Sequence, residues 1–294
     1  MRPNLFLAAA PRCGSTQLSA WLASHPDVAI PPIKEPNFFS QHEFPESYVT
    51  EHHLSDVNVE RYVATRSRKQ MQFAIFRTEE QYDYLFEGLD TRYRLDASTT
   101  YLHCPEAAEA MLAFSPNAKV ILLTRDPVSR ALSHYRLAVR TGRCTRSLKE
   151  EIEAEACGDT PLPGRFLLRQ SRYDDALTRF RATFLPENLL EIAFEDMVKD
   201  PDATLARVAA FLSIAPDVFD TDVESQNAGD APRFKALNSW MMKSGVKTWL
   251  RQLLPVPIKR RLKSIYFKPN TEVMDEADLA LLKTSLEAPA SAQT

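Results

Sequence analysis

A short polar turn between two apolar segments is the first part of this sequence that can bind a charged ligand. The apolar run 4–10 (NLFLAAA) ends at a proline, the turn 12–16 (RCGST) follows, and 17–24 has apolar residues at helical spacing. The first backbone N–H groups of a helix lack acceptors, and the helix dipole favours negative charge there. The junction therefore predicts an anion site with Arg12 as its cation; an ordinary capped turn is the alternative.

A second arginine and a serine follow the most strongly predicted strand of the chain. Residues 119–124 (KVILLT) indicate a buried strand, Arg125 follows it, and a helix is predicted from Val128 to Thr141. Ser133 comes eight residues after Arg125, about two helical turns along. Ligands of parallel sheets bind at the carboxyl ends of the strands, and such a pair can hold one phosphate. A salt bridge of Arg125 and a surface location for Ser133 are the alternatives.

The turn differs from the phosphate loop of nucleoside triphosphatases. That loop needs a lysine before its Ser or Thr, whereas Gly14 directly precedes Ser15 here. The four cysteines have no metal-ligand spacing, and no strand ends in an acid well placed for Mg²⁺. We therefore expect no metal, and a metal-dependent kinase fits poorly.

Composition and charge narrow the range of protein classes to which this chain can belong. The chain has 294 residues, 44% of them apolar, and its formal net charge of −3 argues against a nucleic-acid binder. Ten basic residues and no acidic one lie between Asp230 and Glu272. The basic segment 243–268, in which apolar residues are interspersed with basic ones, predicts contact with an acidic glycan or a membrane surface, or else the solvated face of a docked helix.

The scattered cysteines and short apolar runs predict a cytoplasmic protein. The sequence does not define an oligomeric state.

Strand and helix patterns alternate along the chain. This alternation predicts an α/β fold, with a P-loop-like parallel sheet flanked by helices. We place one domain at 1–240 and a basic, helical C-terminal extension packed on it at 241–294. Residues 40–70 indicate a surface excursion and 143–170 an irregular region.

The order of several short motifs resembles one known family. The segments PRCGST and RDPVSRALSHY are similar to the two phosphate motifs of the sulfotransferases that use 3′-phosphoadenosine 5′-phosphosulfate (PAPS). Further matches follow in the family's order at 34–39 (KEPNFF), 96–101 (DASTTY) and 194–196 (FED). The resemblance covers roughly residues 4–240 and is strongest to the branch with the heparan-sulfate and other carbohydrate sulfotransferases.

The resemblance implies a set of PAPS-binding residues. It assigns the 5′-phosphosulfate to Arg12, Cys13, Gly14, Ser15, Thr16 and Gln17. It assigns the 3′-phosphate to Arg125 and Ser133, and it places Tyr173 near the adenine. A late loop, 227–233, resembles one that closes over the cofactor, with Arg233 as a second 3′-phosphate ligand.

The resemblance also implies the catalytic groups. Glu35 lies in a stretch similar to the one that supplies the base in the heparan-sulfate branch, and Arg12 stabilises the leaving phosphate. Lys34 is a candidate contact of the transferring sulfonate. Structural pairing of Glu35 with Arg12 or Lys34 is one alternative, and His103 as the base is another.

Two departures from the family pattern bear on the acceptor. Arg12 stands where many members have lysine, and an arginine can still neutralise the phosphosulfate. Ala97 and Thr99 stand where heparan-sulfate enzymes often have Lys and Pro, which weakens the case for a heparan-like acceptor. The sequence therefore predicts a PAPS-dependent sulfotransferase acting on a hydroxyl or amine of a carbohydrate, lipid or small metabolite. A P-loop kinase and a non-catalytic anion- or membrane-binding module are the rival hypotheses.

Overall fold

The computed structural model describes residues 2–45, 58–159, 165–221, 230–232, 267–269 and 275–288. These residues belong to two compact units. The first unit contains the described residues up to Asp126 and those from Arg172 to 221, and the second contains the rest. The predicted boundary between 240 and 241 lies outside the described residues, so that division stays a prediction.

The first unit is built on a parallel sheet of five strands. The described strands of this unit are β1 (Leu5–Ala9), β2 (Val28–Ala29), β3 (Ile33–Lys34), β4 (Met71–Gln72), β5 (Tyr93–Ser98), β6 (Lys119–Thr124) and β7 (Leu189–Ala193). Of these, β3 and β4 form a separate parallel pair. The order in the five-stranded sheet is β2-β5-β1-β6-β7. β1 is therefore the central strand, and Leu5 aligns with Leu95 on one side and with Lys119 on the other.

Burial explains why the central strand is uniformly apolar. All five residues of β1 are inaccessible to solvent, as are Val120 to Leu123 of β6. A parallel strand covered on both faces needs apolar side chains at every position, not at alternate ones. The apolar run 4–10 therefore predicts this strand correctly.

Helices flank the sheet. Those of the first unit are α1 (Ser15–Ser24), α2 (Val59–Ala64), α3 (Glu79–Leu85), α4 (Ala107–Phe114), α7 (Asp174–Thr183), α8 (Phe194–Lys199) and α9 (Pro201–Leu212). A 3₁₀ segment, Phe38–Glu43, follows β3. Its Phe38 ring stacks on Tyr82 of α3 at 4.3 Å between centroids, which ties this segment to the core.

The second unit has a smaller core of its own. Its helices are α5 (Pro127–Thr141), α6 (Leu148–Ala156) and α10 (Glu276–Glu287), and a short antiparallel pair joins β8 (Asp230–Pro232) to β9 (Phe267–Pro269). Arg130 is fully buried and donates through Nε to Ser171 Oγ at 2.7 Å. Glu155 accepts backbone N–H groups from Leu167 and Leu168, so two buried charges hold the segment after 165.

The predicted fold class is confirmed, including the helical C-terminal piece. One local prediction is wrong: residues 143–170 contain α6, which begins at a capping box between Ser147 and Glu150. Among the described helices, none combines the length and the apolar character needed to cross a bilayer.

Candidate active site

The turn after β1 has the backbone of an anion-binding loop. Arg12 has φ 79° and Gly14 has φ 89°, and α1 begins at the next residue without a side-chain cap. A Cβ on Gly14 would lie 2.7 Å from both the Phe194 ring and Met197 Cε, so only glycine fits here. No side chain therefore caps the amino end of α1, where the helix dipole favours negative charge.

Arg125 lies beside this loop. Its Nη1 donates to the Arg12 carbonyl oxygen at 3.1 Å, and its guanidinium stacks over the Phe194 ring at 4.4 Å from the centroid. Its Nε is buried and has no acceptor among the described residues. A buried N–H without an acceptor is unfavourable, and an anionic oxygen would satisfy it.

The start of α8 joins the loops that follow β1 and β6. The Phe194 ring packs against both Gly14 and Arg125, and Glu195 Oε1 accepts the backbone N–H of Asp126 at 3.0 Å. In the sequence, residues 194–196 were identified only as one of the motifs that resemble the family. Its packing role was missed because it depends on strands that are distant in the sequence.

Tyr173 also lies against the loop after β1. Its hydroxyl is 3.9 Å from Cys13 Sγ, and its ring stacks with the His103 ring at 6.0 Å between centroids. All three residues are buried. The predicted adenine contact of Tyr173 stays a prediction.

The Glu35 carboxylate has two described side-chain partners. Its Oε1 lies 3.5 Å from Lys34 Nζ, and its Oε2 accepts a hydrogen bond from Thr99 Oγ1 at 2.8 Å. Its side chain is 14% exposed. The pairing with Lys34, which was the alternative to a role as base, is therefore present, and the Glu35 side chain is still partly exposed.

The first unit also contains a fully buried carboxylate, that of Asp96 in β5. Asp96 accepts hydrogen bonds from the hydroxyls of Tyr82, Tyr101 and Ser98. Burial raises the pKa of Asp96 to about 6, and the three hydroxyl donors act against that rise. Sequence reasoning assigned no role to Asp96.

Two further predicted site residues, Ser133 and Arg233, have roles that stay predictions. Ser133 lies on α5 in the second unit, and its pairing with Arg125 stays a prediction. Arg233 and most of the basic segment 243–268 lie outside the described residues. Across the described ranges, no group of three or more His, Cys, Asp or Glu side chains can hold a metal ion. The expected independence of metal stays a prediction.

The fold and the loop after β1 together define a P-loop-like α/β protein. The pattern of the family described as "Sulfotransferase family" matches residues 3–217, and the chain belongs to that family.

Individual relatives are distant. The chain is 22% identical to carbohydrate sulfotransferase 15 of Homo sapiens over 249 residues, which covers 73% of this chain and 44% of that protein. It thus spans less than half the length of this curated relative. A crystal structure of a sulfotransferase from Alicyclobacillus acidocaldarius has a TM-score of 0.62 at 27% identity, covering 99% of this chain and 98% of that one. The sulfotransferase domain from the curacin biosynthetic pathway has the same fold at 21% identity, with a TM-score of 0.50 and coverage of 90% and 97%.

Proposed function

We propose that this protein transfers a sulfuryl group from PAPS to a hydroxyl or amine of an acceptor. The observation that carries the proposal is the uncapped amino end of α1 beside Arg125, whose buried Nε has no acceptor among the described residues. Family membership supports the same conclusion.

The residues of the loop fit the phosphorylated donor. The backbone N–H groups at Gly14, Ser15 and Thr16 form the positive end of α1, and Arg12 adds a full charge. Arg125 adds a second cation whose position is fixed by the Arg12 carbonyl and the Phe194 ring. When bound, PAPS supplies the sulfuryl group and a phosphate leaving group.

The loop and Glu35 then have complementary tasks. Arg12 and the helix amides stabilise negative charge that grows on the leaving oxygen. Glu35 takes the proton that the acceptor hydroxyl or amine loses. The sulfuryl group has less negative charge than a phosphoryl group, so this chemistry does not require a metal ion.

The cofactor assignment is tested by binding. Isothermal titration calorimetry should show that 3′-phosphoadenosine 5′-phosphate (PAP), the desulfated cofactor, binds much more tightly than AMP. Arg125→Ala should remove most of that difference, because a charge-assisted hydrogen bond contributes roughly 1.5–3 kcal/mol, about ten- to a hundredfold in affinity.

Arg181→Ala is the matched control, since Arg181 is exposed and forms a surface ion pair with Glu191. It should leave both affinities unchanged. Equal affinity of the wild type for PAP and AMP would contradict the assignment.

The acceptor class is a separate part of the proposal. We favour a carbohydrate, and the similarity to carbohydrate sulfotransferase 15 supports this choice. Screening glycan, lipid and metabolite pools with radiolabelled PAPS tests it. Labelling confined to lipids or small metabolites would refute the carbohydrate acceptor and retain sulfuryl transfer.

A further inference from the structure

We propose that four consecutive hydroxyl side chains, Ser98 to Tyr101, position the Glu35 carboxylate, and that Thr99 sets its orientation. The inference rests on the proposed function, because it takes Glu35 as the group that receives the acceptor's proton. It assigns residues 98–101, at the end of β5, a role in the reaction that goes beyond cofactor binding.

The segment that carries Glu35 has an unusual backbone. Glu35 has φ 65° and Asn37 has φ 52°, and both are in the left-handed region that residues with a side chain rarely adopt. Such a conformation persists only where surrounding contacts impose it. The contacts that impose this one come from two neighbouring segments. Backbone N–H groups of residues 73–76 donate to carbonyl oxygens of residues 34–36, and the side chains of 98–101 contact residues 35–38.

Every side chain from 98 to 101 is a hydroxyl, and each of the four contacts residues 35–38. Ser98 Oγ accepts the backbone N–H of Asn37 at 3.2 Å, and Tyr101 OH accepts that of Phe38 at 3.1 Å. Thr100 donates to Asn37 Oδ1 at 2.7 Å. Thr99, the fourth, donates to the carboxylate of Glu35.

Asp96 orients two of these hydroxyls. Ser98 donates to Asp96 Oδ1 at 2.9 Å and Tyr101 donates to Oδ2 at 2.7 Å. Because each hydroxyl hydrogen is directed at Asp96, each oxygen presents its lone pairs to a backbone N–H of the segment.

The side-chain amide of Asn37 also holds the backbone of Glu35. Its Nδ2 donates to the Glu35 carbonyl at 2.7 Å and to the Ala74 carbonyl at 2.9 Å. Asn37 is fully buried, so these bonds are shielded from water. The backbone of Glu35 is therefore held independently of its side chain.

Thr99 then fixes the side chain. It follows β5 directly, is 7% exposed, and its branched Cβ restricts its rotamers. Its hydroxyl holds Oε2 at 2.8 Å, while the Lys34 ammonium is more distant from Oε1, at 3.5 Å. Oε1 is thus the oxygen available to the acceptor: the acceptor's O–H or N–H bond breaks as a new O–H bond forms at Oε1.

The test compares Thr99→Val, which keeps the shape and removes the hydroxyl, with Thr99→Ser, which keeps the hydroxyl. Single-turnover sulfuryl transfer should fall about ten- to a hundredfold in Thr99→Val and stay within about threefold in Thr99→Ser. PAP affinity and the melting temperature of both variants should remain near the wild type.

Thr183→Val is the matched control. Thr183 donates to the Arg179 carbonyl of α7 at 2.9 Å, so this change also removes one partly buried threonine hydroxyl. It should not alter the transfer rate.

A double-mutant cycle separates positioning from a general loss of structure. In a Glu35→Gln background, Thr99→Val should cause little further loss, because the base that it orients is already absent. An equal loss in both backgrounds, or a Thr99→Val enzyme as fast as the wild type, would overturn the inference. A wild-type protein that fails to bind PAP would instead overturn the proposed function.

Discussion

Asp96→Asn keeps the shape of a side chain buried in the core of the first unit and removes its charge. Asp96 is 0% exposed and is surrounded by the hydroxyls of Tyr82, Tyr101 and Ser98. The negative charge of Glu35 also disfavours ionisation of Asp96. We expect this substitution to change how the stability of the protein depends on pH.

The magnitude follows from the pKa of Asp96. Burial raises that pKa from 3.8 to about 6, so between these values the folded state binds more protons than the unfolded state. The stability that Asp96 contributes is fully present below pH 3.8 and is lost as the pH rises through 6. Two pH units correspond to about 3 kcal/mol, and about 2–3 kcal/mol of this falls between pH 4 and pH 7.

The assay is chemical denaturation of the wild type and Asp96→Asn at several pH values from 4 to 8. Relative to the wild type, the free energy of unfolding of the variant should rise by about 2–3 kcal/mol between pH 4 and pH 7. Any constant cost of placing an amide among three hydroxyls cancels in this comparison. Asp175→Asn, at an exposed carboxylate, shows the effect of removing a charge from the surface.

A difference between wild type and Asp96→Asn that stays constant over this range would refute the reasoning. It would mean that burial does not disfavour the charged form of Asp96. A difference that falls with pH would mean that the three hydroxyl donors outweigh burial.

Three further predictions concern catalysis and the loop. Glu35→Gln should lower the single-turnover rate by about 10²–10⁴ and leave PAP affinity within a few-fold; more than about a third of the wild-type rate would transfer the base role to His103. EDTA should leave activity unchanged, and a loss that Mg²⁺ restores would favour a kinase. Gly14→Ala should weaken PAP binding and lower the melting temperature in differential scanning fluorimetry, because its Cβ meets atoms at 2.7 Å. Gly88→Ala is its control, with a similar positive φ but open space around the new Cβ; equal effects would contradict the steric argument.

Local patterns predicted the scaffold well. Lys119–Thr124 is a strand with the predicted bounds, because an uninterrupted apolar run is the direct consequence of burial on both faces. The turn before α1 was also predicted, since a glycine followed by two hydroxyl residues is a local signal. The helix Leu148–Ala156 was missed although Ser147 and Glu150 form a capping box, because the surrounding residues have a weak apolar pattern.

The contacts around Glu35 could not be predicted in the same way. Thr99 and Glu35 are 64 positions apart, and only the folded first unit brings the end of β5 beside the segment after β3. The sequence identified 96–101 as a motif, yet nothing local shows that each of its hydroxyls contacts residues 35–38. Asp96 was overlooked for the same reason, since its three donors come from α3, from the end of its own strand β5 and from the loop that follows β5.

The central position of β1 has a consequence for synthesis of the chain on the ribosome. Leu5 aligns with Leu95, made ninety residues later, and with Lys119, made still later. At about 5–20 residues per second, β1 therefore waits roughly 6–20 s before both of its neighbours exist. During that time an apolar strand with unpaired edges is open to other nascent chains. Successful production of this protein thus depends on how well that strand is shielded while its partners are being made, as well as on the stability of the finished sheet.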